Sequence, residues 1–81
     1  MTIQEEVCEA LAKKCAELFN KKAEDLGPDT NLVEDLGAKS TNYVQISAML
    51  EDMYDLEVPY MELKRKLTFA EIGDYINSLF D

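Results

Sequence analysis

An all-α fold, a small antiparallel bundle of three longer helices and one short helix, is what this sequence predicts. Three observations carry that expectation. Apolar residues recur at three- and four-residue steps in three separate stretches, a Ser or Thr stands at the head of each, and no stretch alternates apolar and polar residues as a strand would. The chain has 81 residues, 47% of them apolar and 31% charged, which is enough for one core and too little for two domains. A single domain over residues 1–81 is expected.

The first helix announces itself at Thr2, where Thr2-Ile3-Gln4-Glu5 fits a capping box: the hydroxyl accepts from a free backbone N–H and the carboxylate reaches back. Ile3, Val7, Leu11, Cys15, Leu18 and Phe19 then form an apolar stripe, which predicts a helix from Ile3 to Phe19. Leu26 to Asn31 gathers several breakers, and Pro28 disfavours helical backbone at Gly27. The loop that opens there reaches Ala38, longer than the usual connection of about 4–6 residues. Leu32, Val33 and Leu36 are expected to pin it to the core. Ser40 is expected to cap the second helix, whose Tyr43, Val44, Ser47, Leu50, Met53 and Tyr54 follow at helical spacing through Asp55. Pro59 can open a one-turn helix over Tyr60 to Leu63, and Lys64-Arg65-Lys66 is the densest basic run. Thr68 and Glu71 form a second capping box ahead of Phe69, Ile72, Tyr75, Ile76 and Leu79, the stripe of the last helix.

Charge and composition exclude whole classes of function. With 8 Lys and Arg against 17 Asp and Glu, the net charge is −9, a field that repels nucleic acid and anionic lipid headgroups. The chain has no histidine, so a Ser-His-Asp or Cys-His pair and imidazole metal ligation are ruled out within it. Cys8 and Cys15 would lie about 10.5 Å apart along a helix axis, beyond the roughly 7 Å that a disulfide spans. Two thiols alone cannot complete a zinc site, so both read as small hydrophobes. The acids lack the spacing of an EF-hand loop, and no metal is expected. No stretch approaches the roughly 18 apolar residues of a membrane span, and the start carries acids where a signal peptide would carry bases. A cytoplasmic, non-enzymatic monomer with no nucleic-acid or membrane partner is expected.

A hydroxyl is then the best candidate for chemistry, and Ser40 is the best placed. Leu36-Gly37-Ala38 supplies a turn before it, and a helix follows it. A phosphate ester there would lie at a helix N-terminus, where free N–H groups and the helix dipole favour an anion by about 0.3–1 kcal/mol at an exposed site. With no base beside it Ser40 is a poor nucleophile, so another enzyme must modify it. From position alone, a plain helix cap is the simpler reading.

The run Asn31-Leu32-Val33-Glu34-Asp35-Leu36-Gly37-Ala38-Lys39-Ser40 resembles the acyl carrier protein signature, in which a Leu-Gly-Ala-Asp-Ser-Leu stretch bears 4′-phosphopantetheine on its serine. Met49-Leu50-Glu51-Asp52-Met53-Tyr54, Leu56-Glu57-Val58-Pro59 and Thr68 to Ile76 are similar to the family's later segments, so the resemblance spans essentially the whole chain. It implies an acyl-carrier-like bundle acting as a shuttle, with chemistry supplied by cofactor and partners. A phosphopantetheinyl transferase would move phosphopantetheine from coenzyme A to Ser40, flanked by Lys39 and Thr41. Acyl-transferring and acyl-modifying enzymes would be the other partners. The resemblance also implies an apolar slot for the acyl chain. Val44, Ile46, Met49, Leu50, Met53, Met61, Leu67 and Ile72 are its candidates, with ordinary core as the alternative for each; methionine repacks readily around a guest.

Around the serine the chain departs from that signature. Lys39-Ser40-Thr41 stands where Asp-Ser-Leu is usual, and Asn42 and Gln45 stand where acids are common. Partners of the family dock through basic patches, so electrostatic steering toward this chain is weaker. Asp35, Glu51 and Asp52 keep part of the docking face acidic. Lys39 is expected to meet the phosphodiester as a point charge. These departures imply dedicated partners, in fatty acid synthesis or a specialised acyl or polyketide pathway. Two other readings stay open: a peptidyl or aminoacyl carrier of the same fold, and an unmodified helical interaction module.

Overall fold

The computed structural model describes residues 1–80, and Asp81 lies outside the described residues. Helices α1 (Ile3–Phe19), α2 (Ser40–Tyr54), α3 (Tyr60–Leu63) and α4 (Phe69–Ser78) follow in chain order. A 3-10 turn at Ala23–Asp25, which apolar periodicity does not announce, lies early in the long loop. The described residues form no strand; an isolated antiparallel bridge joins Asn31 to Thr68. The expected all-α bundle of three longer helices and a short one is therefore the fold observed.

The helix ends follow from their caps. At α1, Thr2 Oγ1 accepts from the Glu5 N–H at 3.1 Å and Glu5 Oε1 accepts from the Thr2 N–H at 2.9 Å. The bond from the Thr2 backbone holds the Glu5 carboxyl below the usual glutamate range. At α4, Thr68 Oγ1 accepts from the Glu71 N–H at 3.1 Å, but the Glu71 carboxylate reaches the Leu67 N–H at 3.3 Å, one residue earlier than a capping box requires. Helix α2 stops at Tyr54, because Asp55 takes left-handed backbone with φ 53°.

Val7, Leu11 and Cys15 of α1, Ile46 and Leu50 of α2, Leu63 of α3, and Phe69, Ile72 and Ile76 of α4 are fully buried, joined by Leu32 and Val58 from the connections. Each large apolar side chain so buried contributes about 1.5–3 kcal/mol. Cys8 and Cys15 are free and buried, and burial pushes the Cys15 thiol up to about 11. Gly73 lets α4 pack close against α1, since a Cβ there would lie 2.8 Å from Gln4 Cγ and 3.0 Å from Gln4 Cα. Beside that crossing Gln4 Nε2 donates to Asp74 Oδ1 at 2.7 Å.

Val33, expected to pin the loop to the core, and Val44 and Met53, on the apolar stripe expected for α2, lie outside the core. Val33 is 48% exposed, Val44 52% and Met53 44%. The buried face of α2 is Tyr43, Ile46, Ser47 and Leu50. Val44 falls about 100° round the helix from Tyr43, beyond that face. Val33 is displaced because the Asn31 side chain closes a tight turn through it. Among the described residues no helix is long and apolar enough to cross a membrane.

Candidate functional site

The segment before α2 is held by local hydrogen bonds that its residue types supply. Asn31 Oδ1 accepts from the N–H groups of Val33 at 2.9 Å and Glu34 at 2.8 Å, the asparagine turn that carries Val33 outward. Asp35 Oδ2 accepts from the Asn31 N–H at 2.8 Å and closes the same turn. The Leu32 N–H donates to the Leu67 carbonyl at 2.8 Å, and the Leu32 side chain is fully buried, so the loop is tied to the segment ahead of α4. Gly37, with φ 65°, occupies left-handed backbone and swings the chain into α2.

Ser40 is not the cap of α2. Lys39, in extended backbone with φ −111° and ψ 175°, takes that position, and Ser40 is the first helical residue. A lysine ammonium has no acceptor to offer, and the helix start is closed from the other side: Asn42 Oδ1 accepts from the Lys39 N–H at 2.9 Å. Ser40 is exposed, and no hydrogen bond within the described residues engages its hydroxyl. The helix start thus presents a free alcohol with the N-terminal N–H groups of a 15-residue helix behind it and the exposed Lys39 and Thr41 on either side.

The slot candidates divide. Ile46, Leu50 and Ile72 lie in the closed core and Met49 is half-buried against it, whereas Val44, Met53, Met61 and Leu67 are all more than 40% exposed. An open groove of about 270 Å³ is lined by Met1, Glu6, Glu9, Ala10, Lys13 and Met53. Of the slot candidates only Met53 touches it, about 20 Å along the helix axis from Ser40.

Four of the five candidate docking residues make bonds within the chain. Asp35 closes the Asn31 turn, and Asn42, half-buried, caps α2 and donates from Nδ2 to Gln45 Oε1 at 3.5 Å. Glu51 Oε2 accepts from the Val58 N–H at 2.8 Å, while Asp52 is exposed. The basic run is organised by aromatic rings: Lys64 Nζ lies 5.6 Å from the Tyr60 ring centroid and Lys66 Nζ 5.4 Å from that of Tyr75.

A further set of polar contacts escapes the apolar pattern. Tyr43 is only 4% exposed, and its hydroxyl donates to the Lys66 carbonyl at 2.9 Å. The Ser47 hydroxyl donates to the Val58 carbonyl at 2.6 Å. With Glu51, these residues stand at positions 43, 47 and 51, a four-residue spacing that places three hydrogen-bonding side chains on one helix face. That spacing is the signal in the sequence.

A helical bundle with a free serine hydroxyl at the head of its second long helix is the class of protein that fold and site define. The comparisons agree. The phosphopantetheine attachment site family matches residues 9–76. The structure of the acyl carrier protein from Enterococcus faecalis superposes with a TM-score of 0.75 at 29% identity, covering 98% of this chain and 99% of that one. The chain belongs to the phosphopantetheine-binding acyl carrier protein family. Members of this family are carriers rather than enzymes, and their partners are phosphopantetheinyl transferases and acyl-handling enzymes.

Proposed function

We propose that this protein carries acyl groups as thioesters on a 4′-phosphopantetheine arm attached to Ser40, working with dedicated partner enzymes. The observation that carries the reading is the state of Ser40: exposed, free of internal hydrogen bonds, and set by the Gly37 turn at the first residue of α2. The residues around it suit a phosphodiester. The helix N-terminus favours its negative charge, and Lys39 supplies a cation next to it.

In loading, Ser40 Oγ forms a bond to phosphorus as the phosphoanhydride of coenzyme A breaks and the adenosine bisphosphate leaves. The hydroxyl proton goes to a base of the transferase, because this chain offers no histidine. The arm's terminal thiol, once attached, is what forms the thioester.

The dedicated partners follow from charge. Lys39 replaces an acid common in the family, and Asn42 is engaged in capping, so the first turn of α2 has no acidic residue. Intact mass spectrometry after incubation with coenzyme A and a broad-specificity transferase tests the reading. The wild type gains one phosphopantetheine, Ser40→Ala gains none, and Lys39→Asp changes the loading rate. A wild type that gains nothing, or a Ser40→Ala chain that gains as much, contradicts it.

A further inference from the structure

Resting on the carrier reading, the geometry points to a cargo class: we propose that this protein carries short acyl groups and holds them outside its helical bundle, because a polar seam along α2 closes the way from Ser40 into the core. The seam is the row Tyr43, Ser47 and Glu51. Tyr43 begins it one helical turn after Ser40, with its ring inside the bundle and its hydroxyl on the Lys66 carbonyl at 2.9 Å. Ser47, 7% exposed, bonds the Val58 carbonyl at 2.6 Å, and Glu51 accepts the Val58 N–H at 2.8 Å. Val58 lies just before α3 and Lys66 just after it, so the short helix is strapped to α2 at both ends.

A chain hanging from Ser40 gains from apolar burial only if it enters the core. The entry between α2 and α3 is the one the seam lines. Passing it means displacing the Tyr43 ring and separating buried polar groups from their partners, a cost that falls on every group left unpaired. Burial raises the Tyr43 phenol pKa, and the Glu71 carboxylate adds to that shift, as expected of a ring held inside the bundle. Val44, one turn on from Ser40 and 52% exposed, lies outside the seam. A short acyl group has little apolar surface to hide and forfeits little by staying in water. A long one would be left exposed.

The experiment uses the full chain loaded on Ser40 by a broad-specificity phosphopantetheinyl transferase with acetyl-, butyryl-, octanoyl- or decanoyl-phosphopantetheine from the matching coenzyme A thioesters. Intact mass is read first. A bare chain at that stage refutes the carrier reading, and the cargo assignment with it; a loaded chain separates the two. Melting temperature and thioester hydrolysis, relative to the same thioester on free pantetheine, are then measured against chain length. Both are expected to be flat with length. A decanoyl form that melts more than about 5 °C above the unacylated form, the effect of burying about one methylene in a domain this small, overturns the proposal. Chain-length-dependent protection from hydrolysis in the wild type also overturns it. Tyr43→Ala, or Tyr43→Leu should the alanine variant fail to fold, is expected to acquire both length dependences. If neither folded variant acquires them, Tyr43 is not the barrier and the assignment fails.

Discussion

Single residues determine how Ser40 is presented. Gly37 turns the chain in left-handed backbone with open space where a Cβ would project, so an alanine there meets no clash and suffers only the backbone penalty. Gly37→Ala is expected to destabilise the fold by about 1–2 kcal/mol in urea denaturation, and to slow loading of Ser40; unchanged stability would contradict the role of that turn. Glu5 makes a pH-dependent contribution at the other end of the chain. Its folded pKa is depressed, chiefly by the bond from the Thr2 backbone, so the carboxylate stabilises the fold above its unfolded pKa and loses that effect as pH falls through the folded value. Glu5→Gln is therefore less stable than wild type at neutral pH, and the gap closes as pH falls through the depressed folded value. Denaturation curves across that range check it; a gap that persists in acid contradicts the assignment.

At the scale of elements, the tightest constraint is the crossing of α1 and α4. Alanine at Gly73 would put its Cβ 2.8 Å from Gln4 Cγ and 3.0 Å from the Gln4 backbone, and the helices must separate to admit it. Gly73→Ala is expected to cost about 1–3 kcal/mol, read from the shift in the denaturation midpoint; a neutral variant would show that the helices are free to slide. Much of the architecture is legible in the sequence because caps and apolar spacing are local signals: Thr2 and Glu5, Pro59 before α3, and the α4 stripe all act as their residue types dictate. What is not legible depends on which local arrangement wins and on partners distant in sequence. Ser40 is displaced from the cap by one residue because Asn42 folds back onto the Lys39 N–H. Val44 and Met53 have helical spacing yet lie off the buried face, which Tyr43 and Ser47 occupy instead. No local rule states that a tyrosine and a serine will find carbonyls at Lys66 and Val58, since those partners come from the connections around α3.

Over the whole molecule, charge and the carrier role meet. Against a net charge of −9, the described residues form a single exposed ion pair, Lys13 Nζ with Glu9 Oε1 at 3.5 Å. Such a pair contributes little, so self-repulsion works against the fold. The melting temperature is expected to rise as salt shortens the Debye length from about 30 Å at 0.01 M to about 8 Å at 0.15 M; a curve flat in salt would contradict that balance. The same negative field repels anionic surfaces. All of this acquires a purpose through one covalent attachment. Peptide mass spectrometry of the protein purified from its own cells reads it directly: the fragment containing Ser40 is predicted to carry phosphopantetheine, and a fragment found bare, both as isolated and after exposure to coenzyme A and a transferase, would contradict the account.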